Sequence, residues 1–164
     1  HDAPGWGHSP RLTDTTGRND IMNAKVARDA ERLYFMAETR QSLSPCTDRN
    51  WMLLFINADA DYSTGWRGYD FVVNQSITDE HTSTISKLEA EGQPSDPISI
   101  PLAIGDRHLE LAIPRDVLGL QSEGPMTLDF HWTDNIQKLG NPIEFCTHGD
   151  SAPNRRLNYR YQVR

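Results

Sequence analysis

The chain has 164 residues, which is enough for one domain with a hydrophobic core and too few for two ordinary domains. Its net charge of −7 argues against nucleic acid as a partner, because neutralising phosphates needs a basic surface. With 37% hydrophobic and 24% charged residues and no apolar run long enough to span a bilayer, the sequence excludes membrane insertion and is typical of a globular protein.

Short apolar stretches follow one another along the chain and predict β-strands. The first, at 32–39, is rich in aromatic and apolar residues and ends before the Ser44-Pro45 loop. Turn residues such as Gly105-Asp106 and Gly140-Asn141-Pro142 separate the later stretches. Further strands are predicted at 51–57, 69–74, 83–88, 97–103, 107–113, 125–133 and 157–163.

Helical signal is confined to residues 114–120, PRDVLGL, where a proline at the start and a glycine near the end suit one short helical turn. About eight to ten short strands with regular turns predict an all-β fold, an antiparallel β-sandwich of the jelly-roll type. We expect residues 1–13 to form an N-terminal arm and residues 14–164 to form a single sandwich domain.

Three oxygen-bearing side chains alternate where the strand at 51–57 ends. Asn57, Asp59 and Asp61 are hard-oxygen ligands with a spacing that suits calcium. A second set, Asn19 and Asp20 with Asp14 beside them, follows the same logic with less weight. The alternative is that these side chains cap turns, since Asp and Asn satisfy the amides of the turns in which they lie.

Aromatic residues follow directly after this acidic turn. Trp66 and Tyr69 lie in the segment GWRGY, where the flanking glycines allow a tight turn that leaves the indole unshielded. An exposed aromatic face beside polar donors suits a sugar ring, so we expect Asp70, Asp134 and Asn135 to hydrogen-bond its hydroxyls. The alternatives are that Trp66 closes one end of the sandwich and that Trp132, which shares the parity of Leu128 and Phe130, belongs to the core.

The two cysteines, Cys46 and Cys146, both lie in loop-like sequence and form no CxxC pair, which argues against structural zinc. A disulfide between them is expected if the chain is secreted, and it would contribute roughly 4–5 kcal/mol to stability. Two unrelated thiols are the alternative.

Several longer segments resemble one family. They are 16–21 (TGRNDI), 24–29 (AKVARD), 50–74 with the acidic turn, 130–135 (FHWTDN) and 149–161 (GDSAPNRRLNYRY). Together, from about residue 14 to the end, they are similar to carbohydrate-binding module family 9 within the DOMON-like group, whose members occur in secreted bacterial proteins beside polysaccharide-degrading enzymes.

The resemblance implies a β-sandwich with structural calcium, a polysaccharide or oligosaccharide ligand, a secreted or cell-surface location and a covalently linked catalytic domain. In that family two tryptophans clamp a terminal sugar, and Trp66 matches one of them by position. No tryptophan follows Trp132, so the second wall is missing or is supplied by Trp132, Tyr69 or Tyr159.

Three functions therefore remain open. The first is a non-catalytic, calcium-supported carbohydrate-binding module, and the second is a structural accessory domain that packs on a catalytic neighbour. The third is a metal-dependent polysaccharide-active enzyme, in which the amine and imidazole of His1 bind copper with His8, His131 or His148. His108 and His131 occupy polar-face positions of alternating strands, which predicts that both are exposed.

Overall fold

The computed structural model describes residues 18–155 and 157–164, so the predicted arm at 1–13 and the copper site at His1 and His8 lie outside the described residues. The described residues form ten strands and one short helix. The strands are β1 (Ile21–Arg28), β2 (Arg32–Thr39), β3 (Leu53–Asn57), β4 (Phe71–Val73), β5 (Thr82–Lys87), β6 (Ile98–Ile104), β7 (His108–Pro114), β8 (Met126–Asp134), β9 (Asp150–Ala152) and β10 (Tyr159–Val163), and the helix is α1 (Glu144–Thr147).

Every strand pairing is antiparallel, in the order β1-β2-β7-β6-β5-β4-β3-β8-β10, with β9 on β8. β6 joins the two layers, because its first half pairs with β5 and its second half, from Leu102, pairs with β7. The sheet nearly closes on itself, since the Ile21 amide of β1 donates to the Asp150 Oδ2 of β9 at 2.6 Å. The predicted all-β antiparallel sandwich is confirmed.

The two layers enclose an inter-layer core. Alternation in β2 and β7 directs one side-chain set inward from one layer, and β3 and β8 supply the other. Phe35 and Phe130 meet edge to face between the layers, with ring centroids 5.4 Å apart. The core includes Leu33, Phe35, Leu54, Ile56, Leu109, Leu111, Ile113, Phe130 and Trp132.

All five residues of β3 are buried, so this strand has an apolar environment on both faces. Its outward face carries Leu53 and Phe55, which the loops at 62–70 and 136–145 cover. We call this second group the outer cluster; it consists of Leu53, Phe55, Trp66, Tyr69, Val72, Leu88, Ile136 and Phe145. The outer cluster explains why β3 lacks the alternation of a strand with one wet face.

Four elements differ from the sequence expectation. The predicted helical segment at 114–120 is a hydrogen-bonded turn, in which the Gly119 amide donates to the Asp116 carbonyl and the Leu120 amide to the Arg115 carbonyl. The helical turn lies at Glu144–Thr147 instead, and β1 and β9 were not predicted as strands. Among the described residues, no helix is long and apolar enough to cross a membrane.

Candidate functional site

Trp66 and Tyr69 do not form an exposed platform, which corrects the expected sugar site. They are 4% and 5% exposed, and both rings pack around Phe55 and Phe145 in the outer cluster. The backbones of Trp66 and Tyr69 pair with each other, at 2.8 and 2.9 Å, in a hairpin turn that folds both rings inward.

Two glycines close to Trp66, Gly65 and Gly92, allow this burial rather than exposure. Gly65 has a φ of +55°, and a Cβ there would lie 2.1 Å from the Tyr69 carbonyl oxygen. Gly92 lies against the indole, where a Cβ would come within 2.9 Å of the ring. The apolar outward face of β3 provides the driving force, because it would otherwise be exposed to water.

Trp132 is fully buried in the inter-layer core, which excludes it as a wall of a sugar site and agrees with the alternative given by its parity. Tyr159 is 37% exposed on β10 and lies against Phe130, with ring centroids 5.3 Å apart. None of the expected clamp residues therefore faces Trp66 across an open cleft.

Asp134 serves the fold rather than a ligand. Its carboxylate is completely buried and accepts hydrogen bonds from the Arg18 Nε at 2.8 Å, the Asn19 Nδ2 at 3.0 Å and the Met52 amide at 3.0 Å. Through these hydrogen bonds the carboxylate connects Arg18 and Asn19 to the start of β3 and to the end of β8. Its neighbour Asn135 is half-buried and accepts from the Gln137 side chain at 3.1 Å.

The predicted metal ligands Asn19 and Asp20 belong to the same region as Asp134. Asn19 exchanges hydrogen bonds with Ser44 and donates to Asp134, while Asp20 pairs with the Arg40 Nε at 2.6 Å. Asp134 and Asn57 lie at opposite ends of the β3–β8 ladder, roughly 16 Å apart along the strand. The two predicted metal sets are therefore separate.

In the acidic turn, Asp59 and Asp61 cap backbone amides. Asp59 Oδ1 accepts a hydrogen bond from the Asp61 amide at 2.8 Å, and Asp61 Oδ1 accepts one from the Ser63 amide at 2.8 Å. Hydrogen bonds to Ser63 lower the pKa of the Asp61 carboxyl. Within residues 18–155 and 157–164, no three His, Cys, Asp or Glu side chains are grouped to hold a metal ion, and calcium at this turn stays a prediction.

A row of buried polar side chains runs along the outward face of β3 and β8. Asn57, His131 and Thr133 are each fully buried, and the Asn57 amide, the His131 Nε2 and the Thr133 Oγ1 have no hydrogen-bond partner among the described residues. The prediction that His131 is exposed is wrong, because Phe145 of α1 covers it, with ring centroids 4.7 Å apart. His108 is exposed as predicted.

The imidazole of His131 is neutral at pH 7. Burial lowers the pKa of His131 to about 4, against a weaker opposing effect of its hydrogen bond to the Leu157 carbonyl. The Nδ1 lies 2.7 Å from that carbonyl oxygen, which only accepts, so Nδ1 carries the proton.

Cys46 and Cys146 are free thiols, so the predicted disulfide is wrong in this structure. Cys46 packs against the inter-layer core, whereas Cys146 lies on α1, whose Phe145 belongs to the outer cluster. The β3–β8 layer separates those two groups of residues.

One concave surface does combine an apolar floor with several polar side chains. A cavity of about 450 Å³ is lined by residues of β4 and β5 and lies between the acidic turn and the turn at 115–119. We call this cavity the Phe71 groove. Half-buried Phe71 and half-exposed Ile98 form part of its floor. Its polar lining consists of Asp59, Asp70, Lys87, Ser95 and Asp116.

The groove contains two of the side chains selected from the sequence, Asp59 and Asp70. Asp70 is held in place because Oδ2 accepts the Ala58 amide at 2.8 Å and Oδ1 accepts the Thr64 hydroxyl at 3.0 Å. Lys87 and Asp116, which no sequence pattern indicates, come from β5 and from the turn after β7. No local signal links these two, since only the pairing of distant strands brings them together.

Comparisons of the chain with protein-family models, with curated proteins and with solved structures found no match.

Proposed function

We propose that the chain is a non-catalytic carbohydrate-binding module and that its ligand, a polysaccharide or oligosaccharide, lies in the Phe71 groove. The observation that carries the proposal is that one cavity combines an aromatic and aliphatic floor with three carboxylates and an ammonium group. The resemblance of the sequence to family 9 modules supports the same function, although the site lies beside the acidic turn rather than at Trp66.

The chemistry of the groove suits a sugar. The C–H face of a pyranose packs on apolar side chains such as Phe71 and Ile98, and its hydroxyls exchange hydrogen bonds with carboxylates and ammonium groups. Asp59 and Asp70 already have their orientation fixed by turn amides, so little side-chain entropy is lost when they bind.

The size of the groove agrees with a small ligand segment. Its volume of about 450 Å³ lies within the range of roughly 300–1,000 Å³ that is usual for small-molecule sites. A covalently linked catalytic domain that degrades the same polysaccharide, in a secreted or cell-surface protein, is the setting that the family resemblance supports.

The test combines one charged and one apolar substitution in the groove. A glycan array identifies the ligand, and calorimetry then compares the wild type with Lys87→Ala and Ile98→Ala. Loss of one charge-assisted hydrogen bond should weaken binding about tenfold or more, and loss of the isoleucine floor should weaken it by a smaller factor.

Two exposed residues on β1 provide matched controls, Lys25→Ala and Met22→Ala, since Met22 is 46% exposed and Ile98 is 50% exposed. These variants should bind like the wild type. An unchanged affinity in both groove variants would contradict the site.

The second candidate is an accessory domain that packs on a catalytic neighbour and binds no glycan. It is favoured by the burial of Trp66 and Tyr69 and by large apolar side chains exposed near α1, where Ile143 is 52% and Leu157 is 68% exposed. A glycan array without any binding would support this candidate over the first.

A further inference from the structure

A second cavity lies on the other side of the turn at 115–119. Its volume is about 640 Å³, and it is formed where the β1–β2 turn meets the segment that follows β7. We call it the Arg115 cavity; its polar lining consists of Glu31, Arg32, Arg115, Asp116, Gln121 and Ser122. It shares Asp116 and Gly119 with the Phe71 groove, whereas Glu31, Arg32 and Arg115 line this cavity only.

Arg115 is an unusual residue to find in such a wall. It directly follows β7 and is only 3% exposed, although an arginine is rarely buried without a partner. Its Nη1 donates to the Asp29 carbonyl at 2.9 Å. The remaining Nε and Nη2 are buried and have no acceptor among the described residues, and no carboxylate there forms an ion pair with Arg115.

The two donors without an acceptor, Nε and Nη2, lie on one edge of the guanidinium. Nε and Nη2 are the two donors that bind both oxygens of a carboxylate side by side. The same chain uses this edge twice: Arg160 donates from Nε and Nη2 to Asp129 at 2.8 and 2.9 Å, and Arg18 does so to Asp134 at 2.8 and 3.2 Å. In Arg115 that edge has no protein carboxylate, and because Nε and Nη2 are enclosed by protein, a ligand in the cavity reaches them only when the side chain turns outward.

The formal charges around the cavity balance one another. Arg32 and Arg115 contribute two cations, and the exposed carboxylates of Glu31 and Asp116 contribute two anions. Arg32 is only loosely paired with Glu31, at 4.0 Å.

We propose that the Arg115 cavity binds a ligand through a carboxylate, which accepts two hydrogen bonds from the Nε and Nη2 of Arg115. The carboxylate supplies the counter-charge that a buried guanidinium needs, and Gln121 and Ser122 provide further hydrogen-bonding groups in the wall. A uronic-acid sugar and the carboxyl terminus of a peptide share this chemistry.

The direct test follows the Arg115 Nε–H signal in a nitrogen–proton correlation spectrum of the wild-type protein. Sodium galacturonate, N-acetylglycine, galactose and inorganic phosphate are titrated in separate arms. We expect a saturable shift of this signal with galacturonate or N-acetylglycine, whichever is the source of the carboxylate, and no shift with galactose. An unmoved signal in both carboxylate arms, or tighter binding of phosphate, would overturn the proposal.

A variant adds an independent readout. Arg115→Lys keeps the positive charge but removes the two-pronged edge, and it should weaken carboxylate binding about tenfold or more. Arg28→Lys on the exposed edge of β1 is the matched control and should bind like the wild type. If Arg115→Lys does not fold, the wild-type titration still decides the matter.

The outcome is independent of the first proposal, because Lys87 and Ile98 line only the Phe71 groove. Variants at those two positions should leave the Arg115 Nε–H shift unchanged, so failure at one site is distinguished from failure at the other.

Discussion

At the scale of single residues, burial decides what a side chain can do. Asp134 and Trp66 both resemble ligand-binding residues in the sequence, yet both are almost completely enclosed by the chain. Asp134 has its hydrogen-bonding capacity used by Arg18, Asn19 and Met52, so a sugar hydroxyl would have to displace bonds that hold the fold. Side chains with unused capacity, such as Lys87 and Arg115, are better candidates.

His131 gives a prediction of pH-dependent stability. Its pKa is lowered from 6.5 to about 4 in the folded protein, so the unfolded chain binds a proton at this position more readily. The stabilising contribution is complete above about pH 6.5 and is lost as the pH falls towards 4, for a total of about 3 kcal/mol. Urea unfolding between pH 7 and pH 4.5 measures it.

The variant His131→Phe should flatten this part of the pH dependence, whatever its stability at pH 7. His108→Asn, which replaces an exposed imidazole, is the matched control and should retain the wild-type slope. An equal slope in wild type and His131→Phe would show that the imidazole is not held neutral.

At the scale of elements, the strands depend on tight turns that only glycine fits. Gly149 connects α1 to β9 with a φ of +62°, and a Cβ there would lie 1.8 Å from the Asp134 carbonyl oxygen. This close approach lets β9 pair with the end of β8, where Asp134 opposes Asp150. The pairing is therefore conditional on the absence of a side chain.

Gly149→Ala should consequently destabilise the protein by roughly 2–4 kcal/mol, because it adds a backbone clash to a left-handed conformation. Gly119→Ala is the matched control, since its φ is +71° but its Cβ would have no heavy atom within 4 Å. Thermal unfolding of the two variants separates the clash from the conformational cost. Equal losses would contradict a clash at Gly149.

At the scale of the whole molecule, the curled sheet rather than a cross-link holds the chain together. β1 reaches β9 through the Ile21–Asp150 hydrogen bond, and β6 is shared by both layers. The cysteines contribute no link, as both are free. The two faces of the β3–β8 layer are instead covered by the inter-layer core and by the outer cluster.

The thermal midpoint of the protein should therefore be the same with and without a reductant. Protein purified without reductant should also show two reactive thiols per chain after unfolding, by titration with a disulfide reagent. A disulfide between Cys46 and Cys146 would instead give a fall of roughly 10 °C on reduction.

The sequence by itself determined the class of fold. Alternation in His108–Pro114 requires one buried face, and the glycine- and proline-rich gaps require turns, so antiparallel layers follow from local physics. The same local rules missed β1, whose side chains are mostly exposed, and β9, which is only three residues long.

Only the tertiary structure decided which polar and aromatic residues remain available to a ligand. The second apolar face of β3 requires a cover, and this requirement buries Trp66, Tyr69 and His131, a result that no local pattern contains. The Phe71 groove and the Arg115 cavity are each assembled from segments far apart in the chain. Local sequence fixes the periodicity of a strand, but the exposure of a side chain depends on which distant segment packs over it.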